Sequence, residues 1–206
     1  MIFGFTLFDI GVLVVSMLVA MTVHEAMHAY VGLLLGDTTA AEQGRVSLNP
    51  LRHIDPFMTV ALPIITLVVF QAPVLAARPV PFNPTRVRFD EFGAALIALA
   101  GPVSNLVLAA IAALLLRVAG VSGAIAEALY LFVSLNIALF VFNMIPIPPL
   151  DGSRVLYAFA PEPVQQFMRQ LEQVGLILVF GLAFLGGFAG VLTTINETIL
   201  RVLLGW

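Results

Sequence analysis

The chain has 206 residues, 61% of them hydrophobic and only 10% charged, against roughly 25% charged in an ordinary soluble domain. That balance excludes a conventional soluble globule and points to helices assembled inside a lipid bilayer. The net charge of −3 argues against nucleic acid as a partner, and the absence of cysteine excludes disulfides and thiolate metal sites.

The N-terminal MIFGFTLFDIG lacks the basic start of a cleaved signal peptide and is expected to remain in the mature chain. The first apolar stretch runs from about Ile10 to Leu35, with Asp9 placed to cap its start and Gly36-Asp37 to end it. A polar loop covers 36–56. Next comes PFMTVALPIITLVVFQAP, apolar but broken by Pro63 and Pro73, and then an arginine-bearing loop, ARPVPFNPTRVRFDE. Two further spans are expected at 92–116 and 124–145, the second stopped by the proline-rich IPIPPLDGS. Residues 161–175 place Val164, Phe167, Met168, Leu171 and Val174 on one face, the pattern of an interfacial helix. A last span covers roughly Leu176 to Leu192. The tail TINETILRVLLGW is amphipathic and ends on Trp206, a residue type that anchors at membrane interfaces.

Charge decides the topology. The loops 36–56, 78–91 and 147–172 carry Arg45, Arg52, Arg78, Arg86, Arg88, Arg154 and Arg169, leaving only Arg117 and Arg201 elsewhere. Cytoplasmic loops are rich in arginine. All three loops share one side only if segment 57–77 enters and returns without crossing, which its prolines allow where protein or water satisfies the backbone. The expectation is an all-α polytopic membrane protein. It has about four transmembrane helices plus a re-entrant segment, with both termini extracytoplasmic. Five full spans is the alternative. Residues 1–206 read as a single membrane-embedded domain.

Within the first apolar stretch stands MTVHEAMHAY, residues 21–30. At about 100° per residue, His24 and His28 lie one turn apart on one face, so both imidazoles can reach one metal ion. Glu25 is the next residue round the helix, placed to meet a water there. This is the H-E-x-x-H arrangement of two zinc ligands and a general base. The plain alternative is two buried histidines bonded to backbone. It is weakened by the cost of uncompensated ionisable groups in lipid. Catalytic zinc takes a third protein ligand and keeps the fourth position open. The candidates are His53, Asp37, Glu42, Asp55, Asp90, Glu91, Asp151, Glu162 and Glu172. His24 lies 15 residues beyond Asp9, about 22 Å into a core of about 30 Å. The helix ending at FNMIPIPPLDG descends in the same direction, so Asp151 can fold back toward the metal. The same aspartate also suits a plain turn.

Three motifs in order, HEAMH, GPVSN and NMIPIPPLDG, span residues 24–152 and resemble the site-2 protease family of intramembrane zinc metalloproteases. The flanking GRVSLNPLRHIDP and RPVPFNP look like its compact bacterial branch. The resemblance implies one Zn²⁺ per chain on His24, His28 and Asp151, with Glu25 as general base and Asn143 beside the metal contacting substrate. Gly101, Pro102, Asn105 and Gly152 match motif positions and are expected to serve structure around the site. His53 is either a loop histidine or a residue over the active site. The implied substrate is a transmembrane protein segment. Its helix must unwind locally because helical carbonyls are bonded, and the extended stretches RVSLN and PVPFN are expected to pair with it as short membrane-associated strands. The implied location is the cell membrane, with the active site nearer the cytoplasm. Many relatives carry a PDZ or CBS domain, and this sequence shows neither. Gating then falls to the helices, the re-entrant segment or a regulatory partner, and small-residue helix faces leave room for a homodimer. Two rivals remain: a zinc-binding scaffold without catalysis, and an ion transporter. A transporter needs paired charges in several spans, whereas Arg117 and Glu127 lie near the outer ends.

Overall fold

The computed structural model describes residues 6–53, 80–172, 174–184 and 186–205. The expected re-entrant segment 57–77, Asp55 and Trp206 lie outside the described residues.

Helix α1 spans Leu7–Leu34. Its cap is Thr6 rather than the expected Asp9: the Asp9 N–H donates to Thr6 Oγ1 at 3.1 Å, and the Thr6 N–H donates to Asp9 Oδ2 at 2.8 Å. Asp9 therefore sits three residues inside, as the acidic half of a reciprocal capping box. Gly36 adopts φ +100°, and the Asp37 N–H then reaches Gly32 O at 2.9 Å. Only glycine takes that conformation without strain, so α1 stops where Gly36-Asp37 implied.

A one-turn helix, α2 (Thr39–Glu42), and a 3-10 turn at Pro50–Arg52 follow. Beyond the next described residues come α3 (Asp90–Val118) and α4 (Gly123–Asn143). Helices α1, α3 and α4 are long and apolar enough to cross a membrane. Many of their large apolar side chains, among them Val15, Leu18, Ile111 and Leu114, point outward from the bundle, as lipid contact requires.

Next come α5 (Asp151–Phe159) and α6 (Glu162–Glu172). Helix α6 falls inside the expected 161–175 and leaves Val164 and Phe167 exposed while burying Met168. Arg169 to Glu162 at 2.7 Å and Arg154 to Glu172 at 2.5 Å tie its polar side together and to α5. The final stretch departs from expectation. Helix α7 covers Gly175–Phe184 and α8 runs over Gly186–Leu204, so helix continues across Leu192, where the span was expected to end. No proline or glycine interrupts 191–204. The Thr194 and Thr198 hydroxyls also bond back to Gly190 O and Thr194 O of their own helix, at 2.9 and 2.8 Å.

Helix α3 is the centre, packing against α1, α4 and α5, while α8 closes on α4 and α3. The apolar core lies among α3, α4 and α8. Ala109, Ala112 and Ala113 let α4 approach, and Val133, Ile137, Leu200 and Leu204 fill the space. Small residues at such contacts let helices pack closely in lipid.

No strand occurs among the described residues. In RVSLN three of the five backbone donors go to local turns: Arg45 N–H to Ala40 O, Ser47 N–H to Arg45 O and Asn49 N–H to Ser47 Oγ. In PVPFN, Pro81 has no donor, and the Asn83 N–H goes to Asp37 Oδ2 at 2.7 Å. That last bond belongs to a clasp. Asp37 Oδ1 also accepts from the Thr39 N–H and hydroxyl, at 3.0 and 2.5 Å. The Arg88 N–H reaches Leu35 O at 2.9 Å, and Arg86 pairs with Glu42 at 3.3 Å. The clasp puts the end of α1 and the start of α3 at one end of the bundle.

Burial pushes the Asp37 carboxyl up, but the donors from Thr39 and Asn83, aided by Arg86, outweigh it and hold the carboxyl below its usual range. A depressed folded-state pKa adds stability above the unfolded value of about 4, and that stability disappears as pH falls through the folded one. Asp37→Ala is expected to lower unfolding free energy in detergent by about 1–3 kcal/mol near neutral pH, because it orphans buried donors. The deficit relative to wild type should shrink below about pH 4. Equal midpoints for both proteins at neutral pH would show that the clasp adds nothing.

Candidate metal centre and active site

His24, Glu25 and His28 occupy the inner face of α1 and are each nine-tenths buried. The histidines are held by α3. His24 Nδ1 lies 2.6 Å from Asn105 Oδ1, and His28 Nδ1 lies 2.7 Å from Ile97 O. Both partners are acceptors, so each Nδ1 carries the proton and each Nε2 presents its lone pair. The two Nε2 atoms converge to 3.0 Å.

Asp151 arrives from the other direction. After α4 ends at Asn143, the chain doubles back through 144–150, and α5 opens on Asp151. Gly152 makes the reversal fit, since a Cβ there would stand 2.3 Å from Met144 O. Gly175 serves the same loop from behind, where a Cβ would meet Pro148 O at 2.3 Å. Asp151 Oδ2 lies 3.2 Å from His24 Nε2 and 3.4 Å from His28 Nε2.

Two lone pairs and a carboxylate oxygen thus form a triangle with sides of 3.0, 3.2 and 3.4 Å. Tetrahedral ligands at about 2.0–2.1 Å from zinc stand about 3.3–3.4 Å apart, close to this triangle. A proton on one Nε2 would relieve one of the contacts, whereas a divalent cation relieves all three. Among the described residues, this is the one cluster of histidine and acidic ligands suited to a metal. The donor set therefore fits Zn²⁺.

Gly101 bears directly on that triangle. A Cβ at 101 would fall 2.4 Å from His28 Nε2 and 2.6 Å from His24 Nε2. Its role is thus more specific than the helix approach expected of it. Pro102 is fully buried beside it in α3. Asn105, also fully buried, bonds across three helices: its Nδ2 donates to Ala20 O at 3.3 Å and to Asn136 Oδ1 at 3.0 Å. Asn136 escaped the sequence reading, although an amide in the middle of the apolar LFVSLNIALFVF is a usable signal.

The Glu25 side chain makes no hydrogen bond among the described residues. Asn143 donates to Leu139 O of its own helix at 3.0 Å and is not bonded to the triangle. His53 is not part of the cluster. It is buried, its Nε2 2.7 Å from Ser47 O.

Comparisons with known proteins identify the family. The model of peptidase family M50 matches residues 118–186, which include Asn143 and Asp151. "Putative zinc metalloprotease YwhC" of Bacillus subtilis is 38% identical over 175 residues, covering 81% of this chain and 77% of that protein. "Putative zinc metalloprotease Rip2" of Mycolicibacterium smegmatis is 28% identical over 170 residues, 79% of this chain and 62% of that protein. The Mycobacterium tuberculosis H37Rv protein of the same name is 27% identical over 166 residues, 79% of this chain and 62% of that protein. No solved structure matches the chain significantly. With apolar helices surrounding the candidate metal ligands and a relative this similar over most of both chains, the protein belongs to peptidase family M50, the site-2 protease family, and is a membrane zinc metalloprotease.

Proposed function

We propose that this metalloprotease hydrolyses peptide bonds in or near transmembrane segments, with one zinc on His24, His28 and Asp151 and Glu25 as general base. The observation that carries the proposal is the triangle of ligand atoms, two of them from buried histidines on a membrane-length helix. When bound, zinc supplies Lewis-acid polarisation and a lowered water pKa. The Glu25 carboxylate takes the proton of the attacking water and returns it to the leaving amine. Asn105 and Ile97 O hold the imidazoles in the tautomer that ligation needs. The Asn143 amide has two hydrogens, and the bond to Leu139 O leaves one to donate to a substrate carbonyl.

The proposed topology is four spans with a re-entrant segment. The clasp supports it, because residues 35–53 and 80–90 meet at one end of the bundle. That end carries Arg45, Arg52, Arg86 and Arg88 and is proposed to be cytoplasmic. His28 lies six residues from the end of α1 on that side, about 9 Å, so the site sits nearer the cytoplasm. The termini are then extracytoplasmic, and the enclosing bilayer is the cell membrane. The substrate helix must open locally, because helical carbonyls are already bonded.

The test is cleavage of a reconstituted single-span membrane protein, set against an unfolded soluble protein. Expected is zinc-dependent cutting of the former, abolished by chelation and restored by zinc. Cleavage of the soluble chain alone would overturn the intramembrane assignment. Asp151→Asn is expected to weaken zinc binding by at least about tenfold, because a neutral amide replaces the anionic ligand. Zinc per chain, measured by competition with a chromophoric chelator, checks it, and an unchanged affinity would remove Asp151 from the ligand set.

A further inference from the structure

We propose that Asn136 on α4 is a positioning residue for the metal centre, acting through Asn105 on His24. The inference rests on the zinc site proposed above and concerns what keeps that site oriented.

The bonds run in one direction across three helices. Asn136 Nδ2 donates to Phe132 O of its own helix at 2.9 Å, which turns Asn136 Oδ1 toward α3. That oxygen accepts from Asn105 Nδ2 at 3.0 Å, and Ala20 O accepts from the same nitrogen at 3.3 Å. With its nitrogen fixed by two acceptors, Asn105 must present Oδ1 to His24. His24 Nδ1 then keeps its proton at 2.6 Å, and Nε2 is left to ligate. A flipped Asn105 would set its oxygen against two acceptors and its NH₂ against a protonated ring nitrogen. Asn105 and Asn136 are both fully buried, so no water can take over either bond. Without Asn136, the orientation of Asn105 depends on the longer bond to Ala20 O alone.

The chain of bonds also explains why a polar residue sits within the apolar packing of α3, α4 and α8. Asn136 neighbours Val133 and Ile137, which are fully buried core residues. An isosteric leucine would suit that packing better, so the amide is retained for its two hydrogen-bonding ends.

The experiment uses the full chain in detergent: wild type, Asn136→Leu, Asn136→Ala, Asn136→Asp, Asn105→Leu and the 105/136 double-leucine variant. Zinc affinity is read by chelator competition, and ligand geometry by the visible absorption of the Co²⁺-substituted protein. Asn136→Leu and Asn136→Ala are expected to bind zinc about 10–100-fold more weakly and to alter the Co²⁺ spectrum, as loss of an outer-sphere partner does. Asn136→Asp is expected to restore both. Neutral in this apolar site, its carboxylic acid offers an oxygen to Asn105 and a donor to Phe132 O. The double variant should bind no more weakly than Asn105→Leu, because both act through one bond chain. Wild-type affinity and spectrum in both Asn136→Leu and Asn136→Ala would overturn the proposal, as would fully additive losses in the double variant. An Asp151→Asn control that binds zinc like wild type would instead show that the zinc site itself is misassigned.

Discussion

We expect Glu25→Gln to abolish measurable cleavage while leaving zinc in place. The glutamine has the shape of glutamate but cannot take a proton from water or return it to an amine. General acid–base catalysis of this kind contributes about 10²–10⁴-fold, and loss of both transfers places the variant at the upper end of that range. The metal is retained because Glu25 is not part of the ligand triangle: those three atoms belong to His24, His28 and Asp151. Zinc content, the Co²⁺ spectrum and single-turnover cleavage of a membrane substrate would be measured together. Cleavage at the wild-type rate with full zinc would assign the base elsewhere. Loss of zinc would show that Glu25 holds the metal or the fold.

The second large effect comes from adding one methyl group. Gly101→Ala puts a Cβ 2.4 Å from His28 Nε2 and 2.6 Å from His24 Nε2, far inside van der Waals contact. The rings cannot retreat easily, since Asn105 and Ile97 O hold their opposite edges. Overpacking of this kind costs about 1–3 kcal/mol, and here the strain falls on the ligand atoms themselves. Zinc affinity is expected to fall by about 10–100-fold, with cleavage lost in parallel. Alanine is a better helix former than glycine, so α3 and the overall fold should survive. Gly11→Ala is the control, because a Cβ there meets nothing within 4 Å. Wild-type zinc binding in Gly101→Ala would mean that α3 stands further from α1 than this geometry places it.

The two substitutions lie on opposite sides of what a sequence reveals. Glu25 was legible because H-E-x-x-H is local: helical period alone brings residues 24, 25 and 28 to one end of one face. The same locality made α1, α3 and α4 visible as apolar runs and located α6 by its one-sided apolar pattern. It set the end of α1 through the positive φ that Gly36 permits. Locality also limited the reading. Thr6 rather than Asp9 caps α1, since a capping box exchanges the roles of two residues three apart. The last helix continues past Leu192, where hydropathy suggested an end, because threonine hydroxyls satisfied within their own helix do not end it. The stretches RVSLN and PVPFN looked extended, but several of their donors go to local turns and to Asp37.

Composition and motif by themselves determined that this is a membrane-embedded helical protein with two imidazoles and a carboxylate on one helical face. The order of the three motifs pointed to Asp151. Only the tertiary structure decided that Asp151 closes the triangle, that Gly101 leaves room for it, and that Asn136 stands behind Asn105 and His24. Those relations join residues 81, 31 and about 120 positions apart. A side chain's neighbours at such separations depend on helix packing and on the reversal at Gly152, and neither is written in the period of any single helix.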